Sequence, residues 1–203
     1  MNPIDRRPLI VAVAGPNGAG KSTFHHAHLR PTGLRLLNAD VLAREMGLPA
    51  VEAMGVTTRL REALVRAGES FVFETVFSDP VGDKLAFLQD ASASGYTIVV
   101  CFIGIDGPET SEARVAMRVS QGGHDVPPDR LVTRFPRTLD NLRAAIAGLP
   151  HVWVFDNQDL ARPFRRVAVF EAGRTVFLAR RLPPWFSSVV KALPRRKGGR
   201  KKP

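Results

Sequence analysis

Hydrophobic residues along the chain form short runs, separated by longer stretches in which apolar residues recur at helical spacing. The runs are rich in β-branched and aromatic residues, which is typical of strands. We predict strands over residues 9–14, 34–40, 71–77, 96–105 and 152–157, and a hairpin over 167–178. The run 96–105 is apolar at nearly every position, which indicates a strand that is covered on both faces, as in a parallel sheet.

Segments of helical spacing lie between these strands. We predict one helix that begins at residue 22 and others over 41–46, 52–67, 84–94, 108–120 and 129–147, the last with a kink at Pro136. Strands that alternate with helices imply right-handed βαβ units. The sequence therefore predicts an α/β fold with a doubly wound parallel sheet of the nucleotide-kinase type.

Polar side chains follow the predicted strands at the ends where ligands bind in such sheets. They are Asn38 to Asp40, Glu74 with Thr75, Asp106, and Asp156 with Asn157. Because the carboxyl ends of parallel strands meet at one edge, we expect these groups to form one composite site.

The most specific motif directly follows the first strand. Residues 15–22 fit G-x-x-x-x-G-K-[ST], the phosphate-binding P-loop. Its backbone N–H groups and the following helix N-terminus attract anions. We expect Lys21 to reach the β- and γ-phosphates and the Ser22 hydroxyl to ligate Mg²⁺. The alternative, a glycine-rich turn without a ligand, is disfavoured by the strand that precedes it.

The sequence therefore indicates a nucleoside-triphosphate site, with ATP and Mg²⁺ as the expected cofactors. The predicted nucleotide-binding residues are Gly15, Pro16, Asn17, Gly18, Ala19, Gly20, Lys21, Ser22 and Thr23.

The net charge of +10 is concentrated near the C-terminus. Eight of the 29 Lys and Arg residues and none of the 19 acids follow residue 180, so the first 180 residues are nearly balanced. We predict a domain over 1–180 and a basic, disordered tail over 181–203. The tail either contacts phosphates of nucleic acid or acidic lipid non-specifically, or only improves solubility.

Cysteine content and apolar runs bear on location. The single cysteine, Cys101, lies in an apolar strand, which excludes an internal disulfide and suits a reducing cytoplasm. No apolar run approaches the length of a membrane span, and the N-terminus lacks the apolar region of a signal peptide. We expect a cytoplasmic protein.

Two acidic positions could serve a kinase that acts on a hydroxyl group. Asp40 follows the second strand and could orient or deprotonate the attacking hydroxyl, or could instead cap the helix over 41–46. Glu74, with Thr75, could bind the acceptor or a magnesium-bound water, or could simply be exposed at the end of its strand.

Six arginines surround a glycine-rich turn, Gly122-Gly123-His124, and resemble a lid that closes on phosphates. They are Arg114, Arg118, Arg130, Arg134, Arg137 and Arg143. We predict that Arg118 and Arg134 contact the transferring phosphate, and that Arg137 contributes to substrate binding. His124 either contacts substrate or has a purely structural role.

Several of these motifs, in the same order, resemble the zeta-toxin family of P-loop kinases, particularly its short, single-domain bacterial branch. The resemblance covers about residues 8–180 and rests on 14–23, 38–40, 71–75, 114–118, 122–127, 134–142 and 155–157. It implies ATP and Mg²⁺ at Lys21 and Ser22, Asp40 as the base, Glu74 and Thr75 beside the substrate, and phosphate-clamping arginines at 118 and 134. The chain is shorter than the well-studied toxins, and the basic tail lies outside the family pattern.

The resemblance also implies an activity. The best-understood zeta toxins phosphorylate the 3′-hydroxyl of UDP-N-acetylglucosamine and are blocked by an antitoxin protein. We therefore expect an ATP-dependent kinase of a nucleotide sugar or related metabolite, with an antitoxin as a possible partner. The alternative is a regulatory or nucleic-acid-associated NTPase whose basic tail engages nucleic acid.

Overall fold

A seven-stranded sheet forms the centre of the protein, in the order β2-β3-β1-β4-β5-β6-β7. The computed structural model describes residues 2–123 and 125–193. The strands are β1 (Leu9–Ala14), β2 (Arg35–Leu37), β3 (Phe71–Thr75), β4 (Thr97–Gly104), β5 (His151–Asp156), β6 (Arg165–Glu171) and β7 (Arg174–Leu178). The first five are parallel, and β6 and β7 continue the sheet antiparallel. The predicted doubly wound α/β sheet and the C-terminal hairpin are confirmed.

Seven α-helices are described. They are α1 (Lys21–Phe24), α2 (Ala39–Met46), α3 (Ala50–Arg66), α4 (Asp83–Ala93), α5 (Pro108–Ser120), α6 (Pro128–Gly148) and α7 (Pro184–Lys191). The chain continues from α1 as a π-helical turn over His25–Leu29. The helix α6 includes Pro136 and continues through it. None of the helices in the described residues is long and apolar enough to cross a membrane.

Apolar residues cover both faces of the sheet. Even-numbered residues of β1 join a large core cluster with side chains of α3, α4, α6 and α7. Odd-numbered residues of β1 join a second cluster with Phe24, Leu29 and Phe135. This two-sided burial explains why β1 and β4 have almost no polar residues.

The second strand is shorter than predicted. It ends at Leu37, because the Asn38 side chain accepts hydrogen bonds from the backbone N–H groups of Asp40 and Val41 and caps α2. An N-cap residue begins a helix, so the polar residues predicted to end the strand belong to the helix start instead.

The prediction of a disordered tail over 181–203 is wrong for its first part. The helix α7 follows two prolines and buries Trp185, Phe186 and Val189 in the large core cluster. Burying a side chain of this size contributes about 1.5–3 kcal/mol, so α7 belongs to the domain. The sequence prediction missed this short apolar segment because basic residues lie on both sides of it. Residues 194–203, which carry six of the eight basic residues of the predicted tail, lie outside the described residues.

Candidate phosphotransfer site

The P-loop connects the central strand β1 to α1, so it lies in the middle of the carboxyl edge of the sheet. Gly15 has φ +141°, and a Cβ atom there would lie 2.1 Å from the Ile103 carbonyl oxygen of β4. This close approach leaves no room for any side chain, so the first glycine of the motif is required by packing against the neighbouring strand.

Lys21 is held against the loop that precedes it. Its Nζ donates hydrogen bonds to the carbonyl oxygens of Gly15 and Pro16, both at 2.9 Å. Burial lowers the pKa of Lys21 from 10.5 to about 8, while Glu74 and Asp40 oppose this shift and Arg118 adds to it. The ammonium group is therefore close to both predicted carboxylates and to one predicted arginine.

Glu74, at the end of β3, contacts the P-loop helix directly. The Ser22 hydroxyl donates a hydrogen bond to Glu74 Oε2 at 2.9 Å. Burial raises the pKa of the Glu74 carboxyl group, with Lys21 and the Ser22 hydrogen bond opposing the rise. The alternative of a simply exposed Glu74 is wrong, because this side chain is half-buried and its Oε1 atom is fully buried.

Asp40 lies in the first turn of α2 and is exposed. The alternative role of helix cap is filled by Asn38, so capping does not occupy the Asp40 carboxylate. Its charge is felt by both Lys21 and Glu74. An exposed carboxylate beside the phosphate-binding lysine is suitably placed to contact an acceptor hydroxyl.

The loop after β3 is fixed by α6. The Thr75 hydroxyl accepts a hydrogen bond from the Phe77 N–H at 3.0 Å, and the buried Phe77 adopts φ +61°. Thr138 and Asn141 of α6 donate hydrogen bonds to the carbonyl oxygens of Val76 and Phe77. A left-handed, buried phenylalanine is a strained conformation of the kind that collects at functional sites.

The predicted arginines separate into groups. Arg118 of α5 is half-buried and close enough to lower the pKa of Lys21. Arg134 is also half-buried, and burial, followed by the charges of Arg130 and Arg137, lowers its pKa. These three arginines of α6 therefore lie near one another. His124 lies outside the described residues.

Arg114 contacts backbone instead of facing the phosphate site. Its guanidinium donates hydrogen bonds to the carbonyl oxygens of Gly18, Asn157 and Gln158. The Asn157 side chain in turn donates to the carbonyl oxygen of Ala19 at 2.8 Å. Asn157 was among the predicted polar clusters; its contact with the P-loop was not predicted, because the two segments are 138 positions apart.

The expectation of one composite site is wrong for Asp156 and Asp106. Asp156 Oδ1 accepts a hydrogen bond from Trp185 Nε1, and Oδ2 pairs with Arg165. Asp156, Arg165 and Asp106 line a separate cavity of about 420 Å³. Asp156 is the last residue of β5 and contacts α7, whereas Asn157, the first residue after the strand, contacts the P-loop.

The residues near the P-loop fit a Mg²⁺ ion. Ser22 Oγ and the Glu74 carboxylate supply hard oxygen donors, and Glu74 Oε1 is buried without a hydrogen-bond partner among the described residues. The described residues contain no group of three or more His, Cys, Asp or Glu side chains arranged for a metal ion. Mg²⁺ typically keeps several waters and binds one or two protein oxygens together with substrate phosphates.

Comparison with known proteins identifies the family. The family model described as "AAA domain" matches residues 10–139, which is more than half of the chain. The chain therefore belongs to this AAA domain family of P-loop proteins. No protein of curated function matches the sequence.

Solved structures with the same fold include a putative kinase, a complex with ATP and a toxin–antitoxin system. AvrRxo1-ORF1:-ORF2 with ATP has a TM-score of 0.63 at 20% identity; the match covers 84% of this chain and 60% of that chain. The PezAT chromosomal toxin–antitoxin system of Streptococcus pneumoniae has a TM-score of 0.54 at 20% identity, covering 74% of this chain and 69% of that one. A putative kinase from Chloroflexus aurantiacus has a TM-score of 0.57 at 18% identity, covering 77% and 92%. The expected zeta-toxin-like P-loop kinase fold is confirmed.

Proposed function

We propose that the protein is an ATP-dependent kinase that transfers the γ-phosphate to a hydroxyl group of a small molecule. One arrangement carries the proposal: Glu74 of β3 accepts a hydrogen bond from the Ser22 hydroxyl beside Lys21, and Asp40, in the first turn of the helix that follows the neighbouring strand β2, is close enough to raise the pKa of both Lys21 and Glu74. In this arrangement Lys21 binds phosphate, the half-buried Glu74 carboxylate supplies an oxygen for the metal ion, and the exposed Asp40 carboxylate is free to contact the acceptor.

Each residue has a distinct role in this proposal. The P-loop and Lys21 hold the phosphate chain of ATP, and Asp40 orients the acceptor hydroxyl and accepts its proton. Glu74 and Ser22 would hold Mg²⁺, which neutralises charge on the β- and γ-phosphates when bound. Arg118, with Arg134 and Arg137 of the lid, balances the negative charge that spreads over the transferred phosphoryl oxygens.

The acceptor is proposed to be a nucleotide sugar of the UDP-N-acetylglucosamine kind, or a related metabolite. The choice of acceptor is supported by the resemblance to zeta toxins. In this proposal Thr75 and His124 contact the acceptor. A protein inhibitor of the antitoxin kind is the proposed partner, because one structure of the same fold belongs to a toxin–antitoxin system. We place the activity in the cytoplasm, which agrees with a single, buried, unpaired cysteine.

The test is phosphotransfer from γ-labelled ATP with Mg²⁺ to UDP-N-acetylglucosamine and a panel of other nucleotide sugars. Wild type is compared with Lys21→Ala and Asp40→Asn, and with Asp83→Asn, an exposed acid in the first turn of α4, as the matched control. We expect labelled product from wild type and Asp83→Asn only, with ATP affinity retained in Asp40→Asn.

Two results would contradict parts of the proposal. Labelling of a different acceptor class would keep the kinase and remove the nucleotide-sugar assignment. ATP hydrolysis without any labelled acceptor, at the same rate in Asp40→Asn and stimulated by polynucleotide, would favour the nucleic-acid-associated NTPase instead.

A further inference from the structure

Three successive carbonyl groups of the P-loop are bound from outside by side chains. Ser111 Oγ donates to the Asn17 carbonyl oxygen at 2.6 Å, and Asn157 Nδ2 donates to that of Ala19 at 2.8 Å. Between them, an Arg114 nitrogen donates to the Gly18 carbonyl oxygen at 3.4 Å. The donors come from two elements, α5 and the segment after β5, that lie far from the loop in sequence.

These contacts determine where the loop N–H groups point. In a trans peptide the C=O and N–H bonds of one plane point in opposite directions. Fixing the carbonyl groups of residues 17 and 19 on the outer side therefore turns the N–H groups of Gly18 and Gly20 toward the inner side, while the Ala19 N–H donates to the Pro16 carbonyl oxygen within the loop. A loop with glycines at 15, 18 and 20 has many accessible conformations when free, so these outside contacts select the one that can receive phosphate.

The loop lies directly against the groups that bind it. A Cβ atom on Gly18 would lie 3.0 Å from the Arg114 Cβ atom, and one on Gly20 would lie 2.7 Å from Asn157 Nδ2. Both glycines have positive φ angles, +72° and +89°. Because Gly18 and Gly20 have no side chain, Arg114 and Asn157 can approach the loop closely, and room is also left for phosphate.

Arg114 also joins the loop to a second segment. The same guanidinium donates to the carbonyl oxygens of Asn157 and Gln158, at 2.9 and 3.0 Å. One turn further along α5, Arg118 lies close enough to Lys21 to affect its pKa. The helix α5 is thereby fixed to the loop at Arg114, and the position of Arg118 relative to Lys21 follows from it.

We propose that Ser111, Arg114 and Asn157 are positioning residues of the nucleotide site, and that they set the P-loop for the phosphate chain before nucleotide binds. The residues act through backbone carbonyl groups and need no contact with the base. The proposal rests on nucleotide binding at the P-loop, which is part of the proposed function, but not on phosphotransfer.

The test measures binding of inorganic tripolyphosphate with Mg²⁺ to the full chain by calorimetry. This probe has phosphates and no base or ribose. We expect Ser111→Ala, Arg114→Ala and Asn157→Ala each to weaken its affinity about five- to fiftyfold, the range of one or two lost hydrogen bonds. Ser111→Thr should restore most of the affinity because it keeps the hydroxyl group. Ser120→Ala is the matched control, since the Ser120 hydroxyl binds only the carbonyl oxygen of Met117 within α5.

Hydrogen exchange separates positioning from general destabilisation. In Arg114→Ala, the amides of Gly18 and Gly20 should exchange faster, while amides of the buried strand β4 should keep their wild-type protection. Accelerated exchange throughout β4 would mean that the variant loosens the whole fold, which would overturn the proposal.

Three further results of the binding experiments would contradict the proposal or the nucleotide site on which it rests. If Arg114→Ala weakens ATP binding and leaves tripolyphosphate binding unchanged, Arg114 contacts the base and the proposal is wrong. If wild type binds tripolyphosphate and all three variants bind it equally well, the contacts are incidental. Failure of wild type to bind tripolyphosphate or ATP at all would instead remove the nucleotide site of the proposed function.

Discussion

Trp185 of α7 donates a hydrogen bond from Nε1 to Asp156 Oδ1 of β5 at 3.0 Å, in a buried setting. The same indole ring lies so close to Gly104 of β4 that a Cβ atom there would be 2.1 Å from it. Arg165 NH2 donates to the other Asp156 oxygen. These contacts fasten the last described helix to the carboxyl ends of two central strands.

Replacing Trp185 with phenylalanine should destabilise the fold. The Trp185→Phe substitution keeps an aromatic ring but leaves Asp156 Oδ1 without its donor, so we expect a loss of about 1–3 kcal/mol in the free energy of unfolding. Urea denaturation followed by circular dichroism measures it. Trp153→Phe, at a half-buried position of β5, is the matched control, and an equal loss in both variants would contradict the importance of the hydrogen bond.

Two glycines with positive φ should differ sharply in their tolerance of alanine. Gly15→Ala places a Cβ atom 2.1 Å from the Ile103 carbonyl oxygen, whereas Gly33→Ala, at φ +70°, meets nothing within 4 Å. We expect Gly33→Ala to cost about 1–2 kcal/mol for backbone strain alone, and Gly15→Ala to cost roughly twice that or more because backbone must move. Urea midpoints of the two variants provide the comparison; similar midpoints would show that the loop shifts without cost.

Lys21 should make the free energy of unfolding increase as the pH rises above about 8. Because its folded pKa is about 8 and its ordinary value is 10.5, the unfolded chain binds more proton between these values. The Lys21 contribution to the free energy of unfolding should therefore rise from pH 8 to 10.5. The stability advantage of Lys21→Met over wild type should narrow across this window, whereas a constant difference would contradict the lowered pKa.

Glu74 should govern the Mg²⁺ requirement. Glu74→Gln keeps an acceptor for the Ser22 hydroxyl but removes the negative charge that faces the proposed ion. We expect the Mg²⁺ concentration that gives half-maximal tripolyphosphate binding to rise by about tenfold. Glu62→Gln, exposed on α3, is the control. An unchanged Mg²⁺ requirement would place the ion away from Glu74.

The sequence by itself determined the strands, the P-loop and the grouping of Asp40 and Glu74. Buried parallel strands and a phosphate loop each depend on residues that are close together in the chain, so local patterns predict them. The sequence places Asp40 and Glu74 at the same edge because each follows or ends one of two neighbouring parallel strands, β2 and β3, and their roles there stay a prediction.

Only the tertiary structure decided the roles of Arg114, Asp156, Asn157 and α7. An arginine on a helix has the same local sequence signature whether it faces phosphate or holds a backbone carbonyl group. Asp156 and Asn157 are adjacent, yet Asp156 at the end of β5 binds Trp185 of α7, and Asn157 after the strand binds the P-loop. The helix α7 is stabilised by burial of its apolar side chains against strands that are distant in the sequence. Its own short sequence, with basic residues on both sides, does not predict this burial.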